Sequence, residues 1–232
     1  MKRSIAVVAT TAAAALAAPA AQAATLAVDP VQPCYRETDT VLLPGSGFTP
    51  NARVDFSKNG SILPVDPPIL ADPAGLVQAT LTLPGLLEGQ ERLSYMATDS
   101  ANPANTGEVS LLVSATDIVL SPEEGKPARL LTIRGRGFFG GGSRLWAHVV
   151  RTGGSGKARN VKVGKIKGTC KKVKARKRIF SGDAAPGAYT VQFDAYRRYK
   201  KGRSVKSTYS VTIFRTVRPA ASAAAGSWRR IG

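Results

Sequence analysis

The sequence has one histidine, His148, the side chain best suited to acid–base chemistry near neutral pH. With a serine and Asp194 it would form a hydrolytic triad. The sequence contains no Gly-x-Ser-x-Gly segment, the sharp turn that presents such a serine in many hydrolases. His148 also lies on the same face of a predicted strand as Trp146 and Val150. We therefore expect His148 to be a structural or a surface residue of a strand, and we predict that the protein is not an enzyme.

One glycine-rich segment has the spacing of a dinucleotide-binding motif. Gly135-Arg-Gly-Phe-Phe-Gly140 follows a predicted strand. The motif requires a helix next, whose N-terminal amides would face a pyrophosphate. Three further residues, Gly141-Gly-Ser143, follow instead and are a poor start for a helix. One histidine and two cysteines are also few for a zinc site, so we expect neither a cofactor nor a metal.

The two cysteines lie in different halves of the chain. Cys34 and Cys170 are 136 positions apart. An exported protein can form disulfides, and a bridge over this distance would stabilise the fold by about 4–5 kcal/mol in the chain-entropy view. The sequence leaves open a bridge between them, two free thiols, or a bridge between two molecules.

The formal net charge is +18, and much of it lies in two runs. In the first run, 162–178, small or apolar residues interrupt the cations at near-alternate positions. This pattern predicts a hairpin that turns around Gly168-Thr169, with one apolar face and one basic face. The basic face would present an anion-binding set: Lys165, Lys167, Lys172, Lys174, Arg176 and Arg178.

The second run, 196–203, is predicted to be a loop between two strands near the end of the chain. Two tyrosines lie among five cations, so aromatic stacking could accompany charge. Clustered arginines also favour bidentate contacts with phosphate, sulfate or carboxylate groups. The candidate anion-binding residues are Tyr196, Arg197, Arg198, Tyr199, Lys200, Lys201 and Arg203.

The strands that must position these residues occur in two copies. The segment 40–48 recurs at 130–138, and both copies alternate apolar residues before ending in Gly-x-Gly-Phe. A period of two predicts strands with one buried face, and the glycines allow a turn with unusual φ. Short strands and frequent turns along the chain predict an all-β fold of two tandem immunoglobulin-like β-sandwich domains.

The repeated segments resemble tandem bacterial immunoglobulin-like domains of the IPT/TIG kind. The resemblance depends on Leu43-Pro-Gly-Ser-Gly-Phe-Thr-Pro50, on Ala52-Arg-Val-Asp-Phe56 and on the matching Gly135-Arg-Gly-Phe138. The first unit is also somewhat similar to the neocarzinostatin-type sandwich. The resemblance implies adhesion, spacing or ligand binding outside the cell, and it supplies no catalytic residues.

The domain organisation follows from composition. Residues 1–23 read as a secretory signal peptide, with a basic start, an apolar run and Ala21-Gln-Ala23 before the cleavage site. We expect an acidic sandwich over 24–115, a strongly basic sandwich over 116–218, and a flexible tail over 219–232. Residues 24–115 hold ten acids and four bases, whereas residues 116–232 hold five acids and 27 bases.

These features predict a secreted or cell-surface bacterial protein without a transmembrane segment in its mature chain. Its basic domain would contact an anionic cell-envelope polymer or an acidic protein surface. Export argues against intracellular nucleic acid as a partner. Three alternatives stay open: a structural spacer or adhesin module without a dedicated ligand site, a basic surface kept for solubility, and charge pairing between the acidic and basic halves.

Overall fold

The structure is a computed structural model that describes residues 23–153, 158–214 and the backbone of 227–231. The predicted signal peptide lies outside the described residues except for Ala23. Within these ranges every regular element is a β-strand. No helix long and apolar enough to cross a membrane occurs in this part of the chain.

The first half of the chain forms an immunoglobulin-like β-sandwich of two sheets. Strand order is β1-β3-β6 in the smaller sheet and β2-β8-β7-β4-β5 in the larger one, with the following bounds. The strands are β1 (Thr25–Leu26), β2 (Tyr35–Arg36), β3 (Thr40–Ser46), β4 (Val54–Lys58), β5 (Ser61–Ile62), β6 (Val77–Thr82), β7 (Gln90–Asp99) and β8 (Thr106–Ser114).

The second half forms a second immunoglobulin-like sandwich. Strand order is β14-β11-β9 in the smaller sheet and β10-β17-β16-β15-β12-β13 in the larger one, again with the bounds that follow. The strands are β9 (Asp117–Ser121), β10 (Glu124–Gly125), β11 (Leu131–Arg136), β12 (Arg144–Arg151), β13 (Arg159–Lys165), β14 (Val173–Lys177), β15 (Gly187–Asp194), β16 (Ser207–Phe214) and β17 (Ser227–Ile231).

Each sandwich has its own hydrophobic core, built from the alternate residues of its strands. Leu43, Phe56 and Tyr95 are buried in the first core. Ile133 and Phe193 are buried in the second. Burial of side chains of this size stabilises a fold by about 1.5–3 kcal/mol each, so the two cores favour two separate layered units.

The repeated Gly-x-Gly-Phe segment closes the smaller sheet in both sandwiches. A Cβ on Gly45 would lie 2.9 Å from the ring of Phe48, and a Cβ on Gly135 would lie 3.0 Å from the ring of Phe138. The phenylalanine ring therefore folds back over a glycine that has no room for a side chain. Gly137 adopts a φ of 76°, which favours glycine, as the sequence pattern predicted.

The sequence predicts a hairpin over 162–178, and the prediction is wrong about which strands pair. The chain turns after Gly168, where Lys167 and Lys172 exchange two backbone hydrogen bonds of 2.8 Å. The strands then separate, since β13 pairs with β12 and β14 pairs with β11. This segment therefore links the two sheets at one edge of the sandwich. The alternation itself is confirmed, because Val163 and Val173 are buried between exposed lysines.

The sequence predicts a flexible tail over 219–232, but Ser227–Ile231 forms strand β17. This strand pairs with β16 and with β10. The outer edge of β16 offers unpaired backbone groups, and β17 satisfies them. The prediction is therefore wrong for these five residues, and 219–226 lie outside the described residues.

The two sandwiches contact each other around the short link between β8 and β9. Cys34 and Cys170 form a disulfide across this contact, with Cα atoms 5.4 Å apart. The Thr116 amide donates to Glu37 Oε1 (2.8 Å), and the Gly89 amide donates to Asp117 Oδ2 (2.8 Å). Of the alternatives left open for the cysteines, the structure has the bridge within one molecule.

Five ion pairs among the described residues each join two residues of the same half. These five pairs therefore do not link the acids of the first sandwich to the bases of the second.

Candidate anion-binding site

The two smaller sheets have the same register, so their side chains can be compared position by position. In the first sandwich Pro44 lies opposite Gln78. In the second sandwich Arg134 lies opposite Lys174. The buried neighbours correspond too, because Gly45 pairs with Val77 as Gly135 pairs with Val173. The same scaffold position is therefore neutral in one sandwich and doubly cationic in the other.

Arg134 and Lys174 line a groove of about 800 Å³ together with four other cations. We call it the first groove. Strand β11 supplies two arginines, β13 and β14 supply one lysine each, and the turn between them supplies two more. None of the lining residues is acidic. The six cations are Arg134, Arg136, Lys165, Lys167, Lys172 and Lys174.

The electrostatics of the first groove favour an anionic ligand. Arg134 and Lys174 face each other on adjacent strands, and like charges in this position destabilise a sheet. Asp117 offsets part of the charge at one end, where it accepts a hydrogen bond of 3.1 Å from Arg136 Nε. A phosphate, sulfate or carboxylate group in the groove would relieve the remaining repulsion.

The structure brings together four of the six residues predicted for the first run. Lys165, Lys167, Lys172 and Lys174 line the groove. Arg176 and Arg178 are exposed but do not line it.

Sequence reasoning missed two members of the groove, Arg134 and Arg136, because they lie outside both basic runs. A signal was present in the sequence, because the two arginines alternate with Ile133, Gly135 and Gly137 in the repeated segment. Each also aligns with a neutral residue of the first copy, Pro44 or Ser46.

The second predicted run lies in the loop between β15 and β16, as expected. Its residues do not act as one set. Arg197 and Arg198 line a separate groove, whereas the exposed Lys200 and Lys201 do not. The guanidinium carbon of Arg203 lies 3.7 Å from the ring centroid of Tyr196. That stacking is internal to the loop.

Tyr199 packs against His148, with ring centroids 5.8 Å apart. His148 and Asp194 are completely buried beneath this loop. His148 Nε2 lies 3.1 Å from Asp194 Oδ1, and Nδ1 lies 2.6 Å from Asn160 Oδ1. Both ring nitrogens thus face oxygen atoms, an arrangement that suits a doubly protonated ring.

The buried pair has shifted pKa values. Burial by itself lowers the pKa of His148, but the hydrogen bonds to Asp194 and Asn160 outweigh it and raise the pKa. Burial raises the pKa of Asp194, but the hydrogen bonds from His148, Gln192 and the Tyr196 amide outweigh it and lower the pKa. The pair therefore favours the charged forms of both residues.

The only histidine of the sequence is closed off from solvent in the structure. His148 has no exposed surface that a substrate could reach. No group of three or more His, Cys, Asp or Glu residues that could hold a metal occurs within 23–153, 158–214 and 227–231.

No family model and no curated protein matches the chain. Among solved structures, it is similar to a tetra-tandem repeat from the extending region of a large adhesion protein (16% identity, TM-score 0.27, 84% of this chain and 52% of that one). The chain thus spans about half the length of that structure. It is also similar to fibronectin(III)-like modules of Clostridium thermocellum CbhA (14% identity, TM-score 0.27, covering 80% of this chain and 92% of that one). A third similar structure is the human OSCAR ligand-binding domain (15% identity, TM-score 0.27, covering 74% of this chain and 89% of that one).

Proposed function

We propose that this protein is a secreted or cell-surface binding module without enzyme activity, whose second sandwich holds an anionic cell-envelope polymer in the first groove. The observation that carries the proposal is the convergence of six cations from three strands and a turn, with no acid among the lining residues. Such a concentration of charge raises the local concentration of anions and speeds their capture.

The context of the groove supports an extracellular ligand. The disulfide between Cys34 and Cys170 is typical of oxidising compartments, and the N-terminal sequence predicts export. An acidic protein surface is the other partner class that the same charges would recognise. The IPT/TIG resemblance is compatible with adhesion but does not select a ligand.

A polyanion column with a salt gradient tests the proposal. The test variant reverses four groove lysines together: K165E, K167E, K172E and K174E. A matched control variant reverses four exposed cations that line neither groove: R92E, R129E, R159E and K177E. We expect the groove variant to elute at far lower salt than the control variant, although both carry the same net charge. Equal elution of the two variants would contradict a site and leave only a diffuse basic surface.

A structural spacer is the second candidate function. The disulfide and the hydrogen bonds across the link hold the two sandwiches together, as a spacer requires. A spacer without a ligand site would show no saturable binding to isolated cell envelopes at physiological salt. Saturable binding that the groove variant loses favours the first proposal over this one.

A further inference from the structure

A second groove lies on the outer face of the larger sheet of the basic sandwich. It encloses about 650 Å³ and combines four cations, one amide and one large aromatic ring. None of its lining residues is acidic. They are Arg144, Trp146, Asn160, Lys162, Arg197 and Arg198.

The tryptophan of the second groove does not belong to the hydrophobic core. Trp146 alternates with Leu145 and Ala147, which are fully buried, so its side chain lies on the opposite face of β12. The ring is half-buried and is not part of the core cluster. A tryptophan in this position offers an apolar face and a polar N–H group to a ligand.

A β-bulge beside this ring changes the register of β13. Lys162 pairs with Trp146 and Gly164 pairs with Leu145, which leaves Val163 as the extra residue. In a regular strand Lys162 and Lys165 would lie on opposite faces, because they are three positions apart. The bulge instead buries Val163 and leaves both lysines exposed beside β12.

The loop that carries the two arginines is fixed from below. The Tyr196 amide donates to Asp194 Oδ1 (2.8 Å), and Arg203 Nη2 donates to the carbonyl oxygen of Arg198 (3.0 Å). Arg203 in turn stacks on Tyr196. A loop that is already ordered loses less conformational entropy when Arg197 and Arg198 bind a ligand.

The two grooves adjoin through one cross-strand pair. Arg144, which lines the second groove, lies opposite Lys165, which lines the first. A linear ligand can therefore contact both grooves without leaving the basic surface.

We propose that the second groove binds a sugar ring bearing a carboxylate, sulfate or phosphate group, and that both grooves together hold one anionic polysaccharide chain. The apolar C–H face of the sugar would pack on Trp146, while the cations and Asn160 would hold the acidic group and the hydroxyls. This inference deepens the proposed function and rests on it, because the first groove supplies the rest of the contact.

Titration calorimetry at fixed salt tests the inference with three probes: polygalacturonate, linear polyphosphate of matched charge, and single-stranded DNA. We expect W146A to weaken polygalacturonate binding about tenfold and polyphosphate binding less than about twofold. W146F retains an aromatic face and should restore most of the affinity. In a W228F background, the fluorescence of Trp146 should shift with polygalacturonate and not with polyphosphate.

The outcomes separate the two proposals. If W146A weakens the binding of polygalacturonate and of polyphosphate equally, or if the fluorescence of Trp146 does not shift, the sugar contact is overturned. If W146A loses more affinity for single-stranded DNA than for polygalacturonate, the sugar contact is overturned in favour of base stacking on Trp146. In either case, weaker binding of the K165E/K167E/K172E/K174E variant to every probe would still support the first groove. Absence of saturable binding to any probe would overturn both proposals.

Discussion

The two sandwiches use one scaffold with two different surfaces. Their smaller sheets pair in the same register and close with the same glycine–phenylalanine packing. Where the first sheet carries Pro44, Ser46 and Gln78, the second carries Arg134, Arg136 and Lys174. The first sandwich shows that this fold does not require cations at these positions. The fold therefore does not require them in the second sandwich either, and their presence there agrees with the proposed anionic partner.

The largest expected effect concerns the bridge that joins the sandwiches. Removal of the disulfide in C34S/C170S should lower the free energy of unfolding by about 2–5 kcal/mol. Cys170 also lies within the turn between Lys167 and Lys172, so polyanion affinity should fall although no charge is removed. Urea denaturation and the polyanion column measure the two effects. Unchanged stability would show that the sandwiches do not depend on the bridge.

Because the glycine packs in the same way in both sandwiches, its substitution by alanine should lower the stability of each by a similar amount. A Cβ on Gly135 would lie 2.6 Å from Ile118 Cδ1, and a Cβ on Gly45 would lie 2.8 Å from the carbonyl oxygen of Thr25. We expect G135A and G45A each to destabilise the protein by about 1–3 kcal/mol.

A matched control is G182A, whose Cβ would make only an ordinary 3.5 Å contact with Ala128. Urea denaturation compares the three variants. A cost at one repeat and not at the other would break the equivalence of the two sheets.

The sandwiches should differ in their response to pH. Because the pKa of His148 is raised, its stabilisation of the second sandwich is complete below about pH 6.5 and is lost as the pH rises through the folded value. Hydrogen exchange between pH 6 and 9 should therefore show weakening in the second sandwich. H148Q should abolish this dependence, and a pH response that H148Q retains would contradict it.

The first sandwich should respond instead to acid. Burial raises the pKa of Asp99, but hydrogen bonds from Thr49, Ala101 and Asn102 outweigh it and lower the pKa to about 2. Its stabilisation is present above pH 4 and is lost as the pH falls towards 2. D99N should remove this acid dependence of the first sandwich. A D99N protein that still loses the first sandwich over the same range would assign the effect to another carboxylate.

The smallest expected effect is a gain in stability. K174Q places opposite Arg134 the residue that the first sandwich has opposite Pro44, and it removes the repulsion between like charges. We expect stability to rise by about 0.2–1 kcal/mol while polyanion affinity falls. Thermal denaturation and column elution give the two readouts, and a loss of stability in K174Q would contradict the repulsion.

Local patterns predicted the fold better than the site. Alternation in segments such as 40–46 was enough to predict strands with one buried face, since pleated strands impose a period of two. The pairing of 162–178 was not predictable in the same way, because alternation does not say which sheet a strand joins. The strand at 227–231 has no such alternation, and only the free edge of β16 explains it.

The site was predicted in part, since four lysines of one run line the first groove. Arg134 and Arg136 join them through pairing of β11 with β14, which are far apart in sequence. The bulge at Val163, which leaves both Lys162 and Lys165 exposed beside β12, also depends on register. Register is a property of paired strands, so a single run of residues does not reveal it.

The salt dependence of affinity tests the central claim most directly. For a linear polyanion, the slope of log K against log salt concentration reports the number of charge contacts, at about 0.7–0.9 per contact in nucleic acids. We predict that the K165Q/K167Q/K172Q/K174Q variant lowers the steepness of this slope for polygalacturonate by about three, whereas the R92Q/R129Q/R159Q/K177Q variant leaves it nearly unchanged. The same slope in both variants would contradict an anion-binding groove.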